Sequence, residues 1–290
     1  MPAATTHVEF ARDVLALLDK ETAKQITDLK AYYLGSQGPD FLFFSRASVL
    51  PGSLKKHGNL LHDEKVLQVI RYFESRCAAD DDLWSYFLGY LCHYSLDSVA
   101  HPLVFAVAKY EHDLTGIDEG ESHVTLEAHI DAWLLHQKGR TIDSYDVYKD
   151  IRVRPKTALK IARLYHEMYK DIFSLDIPVR TIFLSVYEVS FLLEAMSPGK
   201  HKNTIVRKAE SLAGMPHSIS GMFLYGKSDI TIINLEHRRY PLRKDPERFV
   251  SDSFPELYGR AVTKALKILP EREDSDFSLN FEGEEYGQED

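Results

Sequence analysis

Three side chains that can bind a metal ion, His93, Asp97 and His101, stand at four-residue intervals in the largely apolar stretch 86–104. Residues four apart are neighbours on one face of an α-helix, so His93 and Asp97 can point at one ion from successive turns. The alternative is a surface ion pair, which the surrounding leucines disfavour. Pro102 disfavours helical backbone angles at His101 and predicts that the helix ends there.

The same spacing recurs where Glu127 follows His123 and Asp131 follows one turn later. His123 and Glu127 offer one nitrogen and one oxygen donor on one helix face, which is a donor set suited to zinc. His129 and His136 point to other faces of this helix. We expect them to be solvated or to lie at the edge of the core.

Further candidates lie earlier in the chain. Asp40 follows Pro39 in a glycine-containing turn, for which simple turn formation is the alternative. His57 and His62 precede the same predicted helix, and the sequence leaves the choice between them open, with helix capping as the competing role of His62. His7 stands just ahead of the first helix, where a role in helix initiation is the alternative.

The spacing of apolar residues predicts an all-α fold. An amphipathic stripe of apolar residues that begins at Val8 predicts the first helix. Further helices are predicted at 22–34, 63–78, 81–100, 121–137, 157–174, 178–196, 201–213 and 253–268. Only residues 228–235 alternate like a β-strand. One short strand cannot form a sheet, so we expect a loop or hairpin near 222–242 within an otherwise helical protein.

The charge of the chain is concentrated at its C-terminal end. Residues 271–290 hold nine acidic side chains against Arg272 alone, which leaves a net charge of −1 for the rest out of a total of −9. Residues 1–270 are therefore predicted to form the folded domain and 271–290 an acidic, disordered tail, either solubilising or partner-binding. No strong field or clear patch indicates binding to nucleic acid.

Several features predict a cytoplasmic protein. Cys77 and Cys92 are too few for a disulfide framework and are expected to be reduced. The first residues lack the basic and apolar regions of a secretion signal. The most apolar later stretch, 181–196, carries two glutamates and falls short of the roughly 20 residues that a transmembrane helix needs.

Taken together, the candidates resemble an ordered motif of a known family. In chain order the motif consists of His7, Pro39-Asp40, His62, Gly89-x-x-x-His93-x-x-x-Asp97, His101-Pro102 and His123-x-x-x-Glu127. It resembles the bacterial zinc-dependent phospholipase C family, whose more distant relatives are fungal single-strand nucleases. The resemblance covers about residues 7–131. It implies a multi-helix, all-α domain with up to three zinc ions clustered in a cleft between helices.

The resemblance also implies a ligand set. One zinc would be held by Asp40, His62, His93 and Asp97, and a second by His101, His123 and Glu127. In the family, a third zinc uses the amine and carbonyl of an N-terminal tryptophan, a histidine matching His7 and the aspartate matching Asp97. This sequence has no tryptophan near its N-terminus, so a two-metal site with an altered third position is an alternative. The gap from Asp97 to His101 is shorter than in the secreted phospholipases of that family. Among the ligands on helices, His101 therefore matches the family pattern least well.

The activity implied by the resemblance is hydrolysis of a phospholipid or a related phosphodiester. Zinc lowers the pKa of a water molecule that it binds to about 7, and Asp40 matches the residue that orients or deprotonates this water. Phe41 resembles an aromatic residue that lines a choline pocket, where a cation–π contact is reasonable. It could equally stack on a nucleobase, and core packing is the alternative for the aromatic residues near it.

Two other functions remain open at this stage. The adjacent pairs His62-Asp63 and His112-Asp113 suggest a histidine-aspartate domain phosphohydrolase, which is also all-α and metal-dependent. The missing N-terminal tryptophan and the acidic tail suggest a helical interaction protein with a structural or lost metal site. The sequence does not decide between zinc and another divalent metal such as iron or manganese, and it does not reveal the oligomeric state.

Overall fold

A computed structural model describes residues 4–48, 51–196, 200–222 and 230–286. The described residues form thirteen α-helices, five short 3-10 helices and one two-stranded sheet. Helices α1 to α13 span Ala4–Leu17, Lys20–Ala23, Leu29–Gly35, Lys55–Asp63, Val66–Cys77, Asp81–Thr115, Glu119–Gln137, Val147–Ile151, Pro155–Phe173, Val179–Met196, Lys200–Leu212, Ser218–Gly221 and Phe254–Ile268. The 3-10 helices span Gly38–Leu42, Ser45–Ser48, Ile142–Ser144, Ile230–Ile233 and Asp274–Phe277.

The sheet is small. Strands β1, Tyr240–Pro241, and β2, Phe249–Val250, are antiparallel, with Tyr240 opposite Val250. The predicted all-α class is therefore confirmed. No helix in the described part of the chain combines the length and apolar character that crossing a membrane requires.

The chain divides into two compact units. Unit 1 consists of Met1–Thr6, Val99–Asp146 and Glu194–Ala261, and unit 2 consists of His7–Ser98, Val147–Leu193 and Val262–Asp290. Helix α6 contributes residues to both units. The expected single domain over residues 1–270 stays a prediction.

In unit 2, helices α3 and α6 touch through their backbones at two glycines. A Cβ atom added to Gly35 would lie 2.0 Å from the carbonyl oxygen of Tyr86, and one added to Gly89 would lie 2.0 Å from that of Tyr32. Any side chain at either position would force the helices apart. The two glycines thus set the spacing between α6 and the end of α3.

The chain leaves α3 through a tight turn that leads to Asp40. Asp28 caps the start of α3 by accepting hydrogen bonds from the amides of Lys30 and Ala31. After α3, Gly38 adopts a φ of 50°, in the left-handed region that favours glycine. Gly38 and Pro39 are the first two residues of the 3-10 helix that contains Asp40, so this buried carboxylate is placed by two residues with restricted or unusual backbone angles.

Helix α6 continues beyond the point where the sequence predicts its end. It includes His101 and Pro102 and runs on to Thr115, so the predicted end at His101 is wrong. Proline removes one backbone hydrogen bond and disfavours helix geometry locally. The next turns bury Leu103, Val104 and Ala106, and this packing offsets the local cost.

Two other expectations differ from the structure. The predicted strand 228–235 is wrong for Ile230–Ile233, which forms a 3-10 helix, and residues 228–229 lie outside the described residues. The expected disordered tail is folded where the structure describes it, up to residue 286. Phe277 and Phe281 are fully buried there, because aromatic side chains within the acidic segment reach the interior of unit 2.

Unit 1 is organised around α7. Its start is capped by Asp118, which accepts a hydrogen bond from the amide of Glu121. Helix α12 and the 3-10 helices at Ile142–Ser144 and Ile230–Ile233 pack against α7, and α11 packs against α12. Asp131 of α7 accepts hydrogen bonds from the amides of Thr5 and Thr6 and from the Thr6 hydroxyl, which fixes the start of α1.

Candidate metal centre

Five buried metal-capable side chains from four elements of unit 2 form the first candidate site, the five-residue group. Its members are His7 on α1, Asp40 on the 3-10 helix, His62 on α4, and His93 and Asp97 on α6. Each of His7, Asp40, His93 and Asp97 offers a ligand atom within 4.8 Å of those of the other three. Residues up to 90 positions apart in the sequence thus surround one small volume.

His62 joins this group through the two carboxylates. Its Nε2 atom lies 3.0 Å from Asp40 Oδ1 and 3.8 Å from Asp97 Oδ2. His93 Nε2 lies 3.0 Å from Asp97 Oδ2 and 3.6 Å from Asp40 Oδ1, and His7 Nε2 lies 3.2 Å from Asp97 Oδ1. Asp97 therefore faces three imidazoles.

Backbone carbonyl groups orient two of these imidazoles. His62 Nδ1 lies 2.9 Å from the carbonyl oxygen of Gly58, and His93 Nδ1 lies 3.1 Å from that of Ser36. Each carbonyl accepts a hydrogen bond from the Nδ1–H group, which leaves the lone pair on Nε2 directed at the carboxylates. This is the tautomer and orientation that a metal-binding histidine needs.

Several polar atoms in the centre of the group have no hydrogen-bond partner among the described residues. They are both carboxylate oxygens of Asp40 and the Nε2 atoms of His62 and His93. Burial of such atoms without a partner costs free energy. A cation bound between nitrogen and oxygen donors removes that cost, and this donor set suits zinc. The residues present therefore fit the metal that the sequence predicts.

The pKa values of two imidazoles shift in opposite directions. Burial would lower the pKa of His62, but the neighbouring carboxylate of Asp40, together with the charge of Asp97, raises it. Burial lowers the pKa of His93 although Asp97 and Asp40 oppose this effect. A neutral imidazole is the form that binds a metal ion, so His93 is suited to this role even in the metal-free protein.

Unit 1 contains a second candidate site, the three-residue group of His101, His123 and Glu127. Their ligand atoms lie within 4.8 Å of one another, and all three side chains are buried. Glu127 Oε1 lies 3.4 Å from His101 Nε2 and 3.3 Å from His123 Nε2. One carboxylate thus faces two imidazoles, with His123 and Glu127 one helical turn apart on α7.

The charges in the three-residue group also favour cation binding. Burial would raise the pKa of Glu127, but hydrogen bonds from His101 and His123 and the charge of His123 help to hold it well below its usual range. Burial lowers the pKa of His123. An ionised carboxylate beside a neutral imidazole is the combination that binds zinc.

Other predicted residues lie elsewhere. His57 is half-buried, with its ring centroid 5.7 Å from that of Tyr169, whereas His62 is the histidine beside Asp40. His129 is half-buried and His136 is exposed. Phe41 is fully buried, and its ring centroid lies 5.1 Å from that of Tyr165, which matches the packing alternative. Its role in substrate binding stays a prediction.

The structure does not bring together the residues of a histidine-aspartate domain site within the described part of the chain. Asp63 is exposed at the end of α4. Asp113 forms an ion pair with Lys109, and His112 contacts the carbonyl oxygen of Ile117 on the surface. His62 faces Asp40 and Asp97 without Asp63, and His112 and Asp113 belong to neither group of metal-capable side chains among the described residues.

Two aromatic residues beside the five-residue group were not assigned to it from the sequence. Tyr90 lies one turn before His93 and has a buried hydroxyl group without a hydrogen-bond partner among the described residues. Burial, followed by the charges of Asp40 and Asp97, raises its pKa well above the usual value, so the phenol keeps its proton. Phe281 packs on His62 and His93 from the C-terminal segment, for which no motif gave a signal.

Comparison with known proteins identifies the family. A model of the zinc-dependent phospholipase C family matches residues 6–175, which include all eight residues of the two groups. Since the match spans more than half of the chain, the chain belongs to the zinc-dependent phospholipase C family. Searches of curated proteins and of solved structures give no match.

Proposed function

We propose that this protein is a metal-dependent phosphodiester hydrolase of the phospholipase C type, acting on a phospholipid or a related phosphodiester. The observation that supports this most directly is the close approach of buried nitrogen and oxygen donors in the five-residue group. There the two oxygens of Asp40 and the Nε2 atoms of His62 and His93 have no hydrogen-bond partner among the described residues. Membership of the zinc-dependent phospholipase C family supports this reaction class. A location in the cytoplasm stays a prediction.

The proposed ligand set follows the two groups. Asp40, His62, His93 and Asp97 would hold one zinc ion, and His101, His123 and Glu127 would hold another. His7, which faces the second oxygen of Asp97, would serve a third ion. We infer at least two ions, and the approach of His7 to the second oxygen of Asp97 supports a third. Another divalent metal with the same preference for nitrogen and oxygen donors is the alternative to zinc.

The chain's own residues would prepare the reaction as follows. The carbonyl groups of Gly58 and Ser36 hold the Nδ1–H groups of His62 and His93, so that both rings present Nε2 as ligand atoms. Asp40 would accept the proton of the attacking water at a carboxylate oxygen. When bound, zinc supplies Lewis acidity toward phosphoryl oxygens and lowers the pKa of water.

The experiment combines metal analysis with an activity assay. Protein purified without added metal is analysed for zinc, iron and manganese and then assayed on bis(p-nitrophenyl) phosphate and on phosphatidylcholine. Asp40→Asn should lower kcat by roughly 10²–10⁴-fold, the usual contribution of a general base. Asp63→Asn is the matched control, because Asp63 is exposed next to His62 on α4 and should leave kcat unchanged.

Three outcomes contradict parts of this proposal. A fully zinc-loaded protein that hydrolyses neither substrate contradicts the hydrolase assignment. Loss of activity in Asp63→Asn but not in Asp40→Asn favours the histidine-aspartate domain chemistry instead. A protein that carries no metal, and whose melting temperature is the same with and without zinc, is an interaction protein with a lost site.

A further inference from the structure

The C-terminal segment, residues 273–286, reaches the five-residue group although it lies outside the matched family region 6–175. Its residue Phe281 is fully buried. The centroid of the Phe281 ring lies 5.1 Å from that of His62 and 5.4 Å from that of His93. One side chain from the end of the chain therefore contacts both imidazoles that Asp40 faces.

Hydrogen bonds along the segment anchor it to α4 and α6, which carry these two histidines, and to α5. The amide of Phe281 donates to the carbonyl oxygen of His62 over 3.1 Å, so backbone and ring both meet this histidine. The hydroxyl of Tyr94, on α6 one residue after His93, donates to the carbonyl oxygen of Leu279 over 2.9 Å. The hydroxyl of Tyr286 accepts a hydrogen bond from the amide of Leu67 over 2.9 Å.

The loop that carries Phe281 is also ordered internally. The side chain of Asn280 accepts hydrogen bonds from the amides of Glu282 and Glu284 over 2.9 and 3.0 Å. Leu279 and Glu285 form an isolated antiparallel bridge that closes the loop. These contacts hold Phe281 inward, whereas Glu282 and Glu284 are half-buried and Glu285 is exposed.

We propose that Phe281 is a positioning residue for His62 and His93, and that the C-terminal segment thereby increases the metal affinity of the five-residue group. This inference depends on the metal-binding part of the proposed function. Each imidazole has one hydrogen bond at Nδ1, which fixes one atom but leaves the ring able to rock about its Cβ–Cγ bond. A buried aromatic ring against both imidazoles restricts that motion, so less freedom is lost when the metal binds.

Outer partners of ligand histidines typically change metal affinity by about 10–100-fold. Phe281→Ala should therefore weaken zinc binding to the five-residue group by about that factor. The affected ion can be recognised, because Asp40→Asn should remove the same one. Zinc binding to the three-residue group should remain within about threefold of the wild type, since the imidazoles on which Phe281 packs, His62 and His93, belong to the five-residue group.

Phe277→Ala is the matched control. Phe277 is also fully buried and lies in the same segment, but its ring contacts are with Tyr94 and Arg71 and not with an imidazole of the described residues. Both alanine variants should lower the melting temperature of the metal-free protein to a similar degree. Only Phe281→Ala should then lower the zinc affinity, measured by competition with a chromophoric chelator.

A second pair of variants covers the case in which alanine at position 281 prevents folding. Phe281→Leu and Phe277→Leu keep most of the buried volume and should fold. In protein loaded with Co²⁺, the visible absorption spectrum reports the ligand geometry. Phe281→Leu should alter this spectrum and weaken cobalt binding several-fold, whereas Phe277→Leu should leave both as in the wild type.

The outcomes separate this inference from the proposed function. If wild-type protein binds no zinc, the proposed metal centre is wrong and the inference fails with it. If wild-type protein binds zinc and the Phe281 variants bind it equally well, the inference alone is overturned. Equal losses of affinity in the Phe281 and Phe277 variants would show that the segment acts through general stability, which also overturns the positioning role.

Discussion

The two candidate metal groups differ in how their ligands are assembled and held. The five-residue group draws on four elements of unit 2, and backbone carbonyl groups orient His62 and His93. The three-residue group draws on two helices of unit 1, and His123 Nδ1 is buried without a hydrogen-bond partner among the described residues. The first group is therefore built with more rigid support than the second.

This difference predicts that the two groups bind metal with different affinities. A ligand that is oriented before the metal arrives loses little freedom on binding, whereas an unsupported ligand must be ordered by the metal itself. We expect the five-residue group to hold its ion more tightly and the three-residue group to exchange its ion more readily.

The largest effect is expected from Asp97→Asn. Asp97 faces His7, His62 and His93, so its charge serves more ligands than that of any other residue in either group. We expect loss of zinc from the five-residue group and a decrease in kcat/KM of about 10³-fold or more, because metal ions contribute several kcal/mol to stabilising the transition state. Metal analysis and steady-state kinetics measure the two effects.

Glu127→Gln is the counterpart of Asp97→Asn in the three-residue group. It should remove only the ion that His101 and His123 hold, and the five-residue group should stay loaded. If both variants empty both groups, the two groups do not bind independently and the comparison between them fails.

The next largest effect is expected from Gly38→Ala. The added Cβ would lie 2.0 Å from Cδ2 of His93, and the residue would keep a φ of 50°. We expect the His93 ring to be displaced, zinc binding to the five-residue group to be lost, and the free energy of unfolding to fall by roughly 3 kcal/mol or more. Chemical denaturation and metal analysis provide the measurements.

Gly139→Ala separates backbone strain from the contact with His93. Gly139 has a similar φ of 68°, but no atom lies within 4 Å of its added Cβ. This variant should cost only about 1–2 kcal/mol, and the metal content should be unchanged. Equal costs for the two variants would mean that the His93 ring adapts easily, which contradicts the rigid support inferred for its group.

A pH-dependent effect is expected from Lys264, which packs over Tyr94 and donates a hydrogen bond to Ser98 in unit 2. Burial lowers the pKa of Lys264 to about 8 from 10.5. Between these values the unfolded chain binds the proton that the folded protein has lost, so stability should rise with pH. The gain should approach about 3 kcal/mol by pH 10.5.

The variant Lys264→Met isolates this effect. All other titratable groups are shared with the wild type, so their contributions to the pH dependence of stability cancel when the two proteins are compared. Urea denaturation of both proteins from pH 7.5 to 10.5 should show a steeper rise of the free energy of unfolding in the wild type. Parallel curves would mean that Lys264 keeps its charge in the folded protein. In that case, burial of the charged Lys264 side chain would not lower the free energy of unfolding of unit 2.

The smallest effect is a difference in metal release by the wild-type protein. On addition of excess chelator, we expect two phases of zinc loss, with the phase assigned to the three-residue group faster by about 10–100-fold. Glu127→Gln should abolish the fast phase and Asp40→Asn the slow one. A single phase, or the reverse assignment, would remove the distinction between a rigid and a loosely supported group.

Two kinds of sequence information predict the residues of these groups, namely helical spacing and the family resemblance. The pairs His93-Asp97 and His123-Glu127 follow from helical spacing alone, because a four-residue step places both side chains on one face. Asp40, His62 and His7 have no such local relation to α6. They could be added only through the family resemblance, since tertiary folding brings them together.

The errors have the same physical origin. The helix was expected to end before Pro102 because local backbone preference was considered without the buried turns that follow it. The tail was expected to be disordered because its acidic composition outweighed its aromatic residues, of which Phe281 reaches the metal group. In both places packing between distant residues determines the structure, and such packing cannot be inferred from a local sequence pattern.

At Gly35 and Gly89, α3 and α6 meet main chain against main chain, so the distance between the two helices there does not depend on the size of apolar side chains. Conservative exchanges of apolar side chains in unit 2 that do not touch the five-residue group should therefore leave its geometry intact. A single methyl group at either glycine should do more harm than many conservative exchanges elsewhere.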